Sequence, residues 1–152
     1  WPVDEPVVTQ LFGENPQVYA NWGLPGSPGL DFRAKLGTEV YAAYEGEVYH
    51  VQPDDGNSYG LHVRIMHDVG GQVYRTIYAH LSEAFVSVGQ QVETGERIGL
   101  SGMTGWATGP VLHFVLTVDG AQTPGYPEGI VDPLPYLQAT SEQMLLEGKE
   151  TQ

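Results

Sequence analysis

The chain has no cysteine among its 152 residues. That excludes disulfide staples, thiolate metal sites and a cysteine nucleophile, while leaving the redox compartment open. Positive charge is also scarce: 6 Lys and Arg stand against 19 Asp and Glu, for a net charge of −13. Clustered bases are what phosphate backbones require, so nucleic acid is excluded as a partner class, and anionic polymers and membrane surfaces are disfavoured. The simplest role for so much acid is solubility. No apolar run approaches the ~18 residues of a membrane span, so no membrane insertion is expected. There is no basic-then-apolar leader, and Trp1 reads as the start of a processed or trimmed chain. Internal repeats and low-complexity linkers are missing as well.

Turn formers, by contrast, are abundant. Gly 20 and Pro 11 fall between short apolar runs, the pattern of an all-β fold with many turns, and the length suits one domain with a real core. Residues 1–147 are read as that domain and 148–152 as a flexible tail. A first strand is predicted over Val7–Phe12, followed by a Gly/Pro-rich loop from Gly13 to Gly29 long enough to be functional. Further strands are predicted at Leu30–Phe32, Glu39–Ala42, Gly46–Gln52, Leu61–Met66, Val73–Ala79, Gln91–Val92, Arg97–Leu100 and Leu112–Val118. Asp54-Asp55-Gly56-Asn57 and Val69-Gly70-Gly71 mark turns between them. Asp132–Leu137 is expected to close over the sheet, and Ser141 to cap a short helix through Leu146.

The order of motifs is more specific than any one of them. Gly29-Leu30-Asp31-Phe32 precedes Leu36-Gly37-Thr38-Glu39-Val40-Tyr41-Ala42-Ala43, then Gly46-Glu47-Val48, Tyr59-Gly60-Leu61-His62-Val63 and Tyr78-Ala79-His80-Leu81-Ser82. Val88-Gly89-Gln90-Gln91-Val92, Gly95-Glu96-Arg97-Ile98-Gly99, Ser101-Gly102-Met103-Thr104-Gly105, Thr108-Gly109-Pro110 and Leu112-His113-Phe114 follow. From about Val8 to Leu137 the series resembles the LytM/lysostaphin-type zinc metallopeptidases, which cut peptide cross-links in bacterial peptidoglycan. The resemblance implies a mainly antiparallel β-sheet sandwich with a groove floored by the sheet and walled by loops. It also implies three metal ligands: a His, an Asp four residues later, and the second His of a His-x-His strand. Two further histidines act on substrate, one in a Tyr-Ala-His-Leu segment and one as the first His of His-x-His.

Placed on this chain motif by motif, the resemblance assigns Asp31 and His113 as remnant metal ligands and His80 as a remnant catalytic histidine. The first metal His falls on Ser27, and the first His of the pair falls on Val111. A neutral hydroxyl is a weak zinc ligand, and catalytic zinc takes three protein ligands plus water. Zinc, the family's cofactor, is therefore expected to be absent or weakly held. Residues two apart on a strand face the same side, so Val111 sets hydrocarbon beside His113 where the family has an imidazole. Such a histidine typically contributes about 100-fold or more to a reaction. Loss of both groups points to a domain that no longer hydrolyses peptides.

Outside the motif, Asp31 would read as a turn cap and His80 as a core histidine. His50, His62 and His67 are read as structural or surface residues. Tyr19, Trp22 and Trp106 lie in loops that by resemblance rim the groove, where they either stack on a ligand or pack loop against sheet. The leading expectation is a degenerate domain that binds a peptidoglycan peptide or a protein partner, such as another wall hydrolase, in an extracytoplasmic or phage-associated setting. The alternative is a working zinc endopeptidase in which Asp31, His80 and His113 hold the metal. A lipoyl- or biotinyl-carrier reading of Val88–Gly95 fails, because Lys35 and Lys149 are the only lysines and neither sits at a hairpin tip.

Overall fold

The computed structural model describes residues 1–139. They form ten strands, all antiparallel: β1 (Val8–Gln10), β2 (Leu30–Arg33), β3 (Glu39–Tyr41), β4 (Gly46–Gln52), β5 (Leu61–Val69), β6 (Gln72–Ala84), β7 (Gln91–Val92), β8 (Arg97–Ser101), β9 (Val111–Val118) and β10 (Ile130–Val131). The main sheet runs β1-β2-β9-β6-β5-β4-β7, with β10 on β9. A second layer, β3 on β8, joins it through the far end of β6. The expected mainly antiparallel architecture is what the chain adopts. Between the layers, Leu30, Phe32, Val40, Val48, Ile65, Tyr78, Leu81, Ile98, Leu112 and Phe114 are almost fully buried. Period-two alternation places them there: in β2, Leu30 and Phe32 point inward while Asp31 and Arg33 do not.

Several strands shift their bounds by one to three residues and β10 is not among those expected; three departures are larger. The first strand is only Val8–Gln10, shorter than predicted, and pairs irregularly with β2. The segment from 13 to 29 is not structureless: it holds a one-turn helix, α1 (Pro16–Tyr19), and a 3-10 turn (Ala20–Trp22). Asn15 enters the helix at φ 57, Pro16 begins it with φ already fixed, and Gly23 at φ 72 ends the following turn. The dense Gly and Pro punctuation masks this short helical stretch. Finally, β6 is longer than predicted, because its far end pairs with β8 over Leu81–Ala84, while Gly70 and Gly71, both at positive φ, make the two-residue turn that joins it to β5. Leu137 is buried and Leu134 packs on the core, so the closing segment lies against the sheet as expected. The Ser141–Leu146 helix and the 148–152 tail fall outside the described residues. Among the described residues no helix is long and apolar enough to cross a membrane.

A hydrogen-bonded chain of neutral groups crosses the core. The Ala43 N–H donates to the Tyr78 hydroxyl at 2.9 Å, which lies 3.0 Å from the Thr76 hydroxyl. Thr76 Oγ1 in turn lies 2.8 Å from His67 Nε2, and His67 Nδ1–H donates to the Glu45 carbonyl at 2.8 Å. Burial pushes the Tyr78 hydroxyl up to about 12 and lowers His67 below the usual histidine value. Charging a buried imidazole is costly, so the folded state binds that proton more weakly than the unfolded chain. Stability is then full above the unfolded histidine pKa of about 6.5 and declines as pH falls from there toward the lower folded-state value. Burial lowers His62 and His80 in the same direction. Urea midpoints are expected to fall between pH 7 and pH 5, before most carboxylates titrate, and His67→Gln is expected to flatten that slope. An unchanged slope in the variant would remove His67 from the account.

Candidate functional site

A groove of about 710 Å³ opens on the main sheet beside the 13–29 segment and the loop between β8 and β9. Asp31, His80, Val111 and His113 all line it. Asp31 on β2 is the direct cross-strand partner of His113 on β9, and Arg33 is the partner of Val111. That register brings together two residues 82 apart in sequence: His113 Nδ1–H donates to Asp31 Oδ1 at 2.5 Å. The His113 side chain is 5% exposed and that of Asp31 23%. Val111 and His113 face the groove while Leu112 and Phe114 enter the core, as alternation requires.

His80 reaches the groove by a different device. Leu61 pairs with Leu81 and Val63 with Tyr78, so one residue of β5 faces two of β6. At this bulge His80 adopts φ 64, a left-handed conformation uncommon outside glycine, and bulges of this kind re-aim side chains. Its backbone N–H donates to the Tyr59 carbonyl at 2.8 Å, and its Nδ1–H donates to the Thr104 carbonyl at 2.7 Å. The remaining ring nitrogen, Nε2, is left as an acceptor. Burial lowers the His80 pKa, which keeps the ring neutral. Its ring centroid lies 6.1 Å from that of His113. Thr104 is itself pinned, since its hydroxyl donates to the Leu81 carbonyl at 2.7 Å and accepts from the Leu61 N–H at 3.1 Å.

Ser27 is fully buried at the groove's base and donates to the Gly29 carbonyl at 3.1 Å. A Cβ on Gly29 would lie 2.2 Å from the Phe114 carbonyl oxygen, so only glycine lets the chain turn this close to β9 and deliver Ser27 next to Asp31. Tyr19, Trp22 and Trp106 line the groove as a run of tilted rings, with centroids 5.8 Å apart for Tyr19–Trp22 and 5.7 Å for Trp22–Trp106. Trp22 is 49% exposed and Trp106 59%. The rings pack on one another across two loops and still present faces to the groove. His67 and His62 are buried in the fold, and His50 bonds Gln52 through Nε2 at 2.9 Å.

Several groove residues escape a motif reading. Tyr59 stacks against His113 with ring centroids 5.7 Å apart. Gln10 Nε2 lies within hydrogen-bond reach of Tyr19, Ser27 and Asp31, while Asn15 holds the other end of its amide. Alternation gives no signal for Gln10: the register slips between Val8 and Gln10, so Val8 packs on the core beside Phe32 while Gln10 turns with Asp31 to the groove. Among the described residues no group of three or more His, Asp or Glu side chains is arranged to hold a metal ion, and Asp31 is the one carboxylate lining the groove. The surface can therefore accept hydrogen bonds at His80, stack aromatic or planar groups, and hold an uncharged or cationic segment beside Asp31.

Residues 25–124 match the profile of Peptidase family M23. The chain is 46% identical over 94 residues to the peptidoglycan DD-endopeptidase ShyA of Vibrio cholerae, a match covering 60% of this chain and 20% of that protein. It spans about a fifth of the length of the curated relatives it matches. The catalytic domain of the antimicrobial peptidase lysostaphin from Staphylococcus simulans superposes with a TM-score of 0.71 at 29% identity, covering 89% of this chain and 94% of that one. The catalytic domain of the prophage-encoded M23 protein EnpA from Enterococcus faecalis, solved as a point mutant, gives 0.66 at 31% identity, with 88% and 92% covered. On this match, which takes in strands β2 to β9, the chain belongs to peptidase family M23.

Proposed function

We propose that this domain is an M23 fold that has given up hydrolysis and keeps its groove to bind peptide, most simply the cross-linking peptide of peptidoglycan outside the cytoplasm. The observation that carries the reading is the donor set. Of the side chains meeting at the groove floor, Asp31 and His113 are metal-capable, and they bond each other. Ser27, at the place of the third ligand, is a buried hydroxyl engaged with a backbone carbonyl. Two donors fall short of the three that hold a catalytic zinc, so the residues present do not fit the family's metal. Val111 adds hydrocarbon where a proton-handling group would be needed. The alternative of a metal held by Asp31, His80 and His113 lacks a gathered cluster among the described residues.

The binding half of the proposal rests on what remains. The bulge still delivers a neutral imidazole with a free Nε2, and Tyr19, Trp22 and Trp106 still form an aromatic wall. A neutral groove with one carboxylate suits a short, uncharged peptide, since a polyanion would meet repulsion from Asp31 and from the net charge of −13.

Two outcomes are expected. Purified without added metal, the protein should contain no stoichiometric zinc and release no peptides from peptidoglycan, whereas Ser27→His with Val111→His should raise zinc affinity by about 100-fold or more in calorimetry. Chelator-sensitive cleavage by the unaltered chain would refute the reading. Separately, the protein should co-sediment with purified sacculi, and Trp22→Ala or Trp106→Ala should weaken that binding several-fold, each exposed ring contributing about 1 kcal/mol of contact. Equal sedimentation of the parent and both variants would take the aromatic wall out of the binding surface.

A further inference from the structure

Gln10 lies on β1, apart from every motif that carries the family resemblance. Its amide nitrogen is 3.1 Å from Asp31 Oδ2, 3.2 Å from Ser27 Oγ and 3.0 Å from the Tyr19 hydroxyl. The orientation of the amide is fixed by both ends: Asn15 Nδ2 donates to Gln10 Oε1 at 2.6 Å, and reversing the group would set oxygen against the Asp31 carboxylate and N–H against N–H at Asn15. Asp31 and Ser27 stand at two of the three positions that the resemblance gives to metal ligands. The third, His113, bonds the other oxygen of Asp31. The Gln10 nitrogen thus lies among three oxygens, of Asp31, Ser27 and Tyr19, beside two of the mapped ligand positions.

We propose that Gln10 is a positioning residue that stands in for the missing cation. Its two N–H hydrogens supply partial positive charge to the faces of Asp31, Ser27 and Tyr19, and Asn15 locks it in place. It thereby holds the 13–29 segment, which carries Tyr19 and Trp22, to the floor of the groove. This rests on the metal-deficient reading of the site and adds to it: the imidazole missing at position 27 removes affinity for zinc, and Gln10 serves the oxygens left there.

The test exploits isostery. In Gln10→Glu a second carboxylate lies beside Asp31, and the new carboxylate, Asp31 and His113 then make three donors. Zinc, titrated alone, should raise the melting temperature of this variant saturably and bind at least about tenfold more tightly than to Gln10→Ala or the parent, neither of which should respond. A purely structural role predicts that both substitutions destabilise and neither gains zinc, and a folded Gln10→Glu with no gain over Gln10→Ala overturns the proposal. Should Gln10→Glu unfold through repulsion between its carboxylates, recovery of folding on zinc addition supports the proposal and failure to recover overturns it. A second comparison adds Gln10→Ala to the Ser27→His, Val111→His pair, where removal of the stand-in should tighten zinc by about tenfold. Zinc bound equally with and without Gln10 overturns the role of Gln10 alone. A gain in Gln10→Glu with none in the Ser27→His, Val111→His pair overturns instead the mapped ligand positions behind the proposed function.

Discussion

The hydrogen bond between Asp31 and His113 is the contact on which the groove depends. It follows from strand register, since the two residues are direct partners across β2 and β9. A carboxylate in a half-covered groove needs donors, because leaving it unpaired costs more than a neutral hydrogen bond returns. In a metal site the ion would meet that need. Here His113 serves one oxygen and Gln10 the other, so both oxygens of Asp31 are satisfied without external charge. The described residues leave no buried side-chain nitrogen or oxygen without a partner, which is the condition under which a degenerate polar site persists without destabilising the fold.

The survival of the groove's shape follows from the same logic. Backbone pairing sets the floor, and His80 is aimed by a bulge whose geometry is fixed by hydrogen bonds to the Tyr59 and Thr104 carbonyls. Where positions 27 and 111 take part in this pairing they do so through the main chain, as in the Arg33–Val111 pair. Replacing an imidazole with Ser27 or Val111 therefore removes chemistry while leaving the frame intact. The two positions are not equivalent, however. Val111 lines open groove and leaves space for a larger group, whereas Ser27 is fully buried against Gly29, so any larger side chain there must grow toward Gln10.

What could be read from the sequence divides along the line between local and long-range causes. Alternation put Val111 and His113 on one face, because a two-residue period is a local property. The Gly70-Gly71 turn was visible, yet the length of β6 was not, since it depends on β8 being present to pair with Leu81–Ala84. The helix of Pro16–Tyr19 has four residues and no hydrophobic period to announce it. β10 has two residues and exists only through β9. At the site, Asp31, His80 and His113 were legible through motif order alone. Gln10, Tyr59 and Thr104 were not, because their roles arise where separate segments meet and no spacing within the chain encodes them.

On the proposed reading, that division bears on how a hydrolase fold becomes a binder. The residues most specific to catalysis sit in short motifs and are changed by single substitutions, while the residues that stabilise the altered state are scattered and act through geometry. Asn15, Gln10, Tyr19 and Ser27 form one connected set of polar contacts, and all but Ser27 lie outside the motifs. Removing a ligand in isolation would have left Asp31 short of a partner on one oxygen. A neutral amide already within reach satisfies it with a hydrogen bond whose acceptor is charged, the stronger kind. On that reading the floor keeps both Asp31 oxygens paired within the chain, and contact through Trp22 and Trp106 governs what the groove holds.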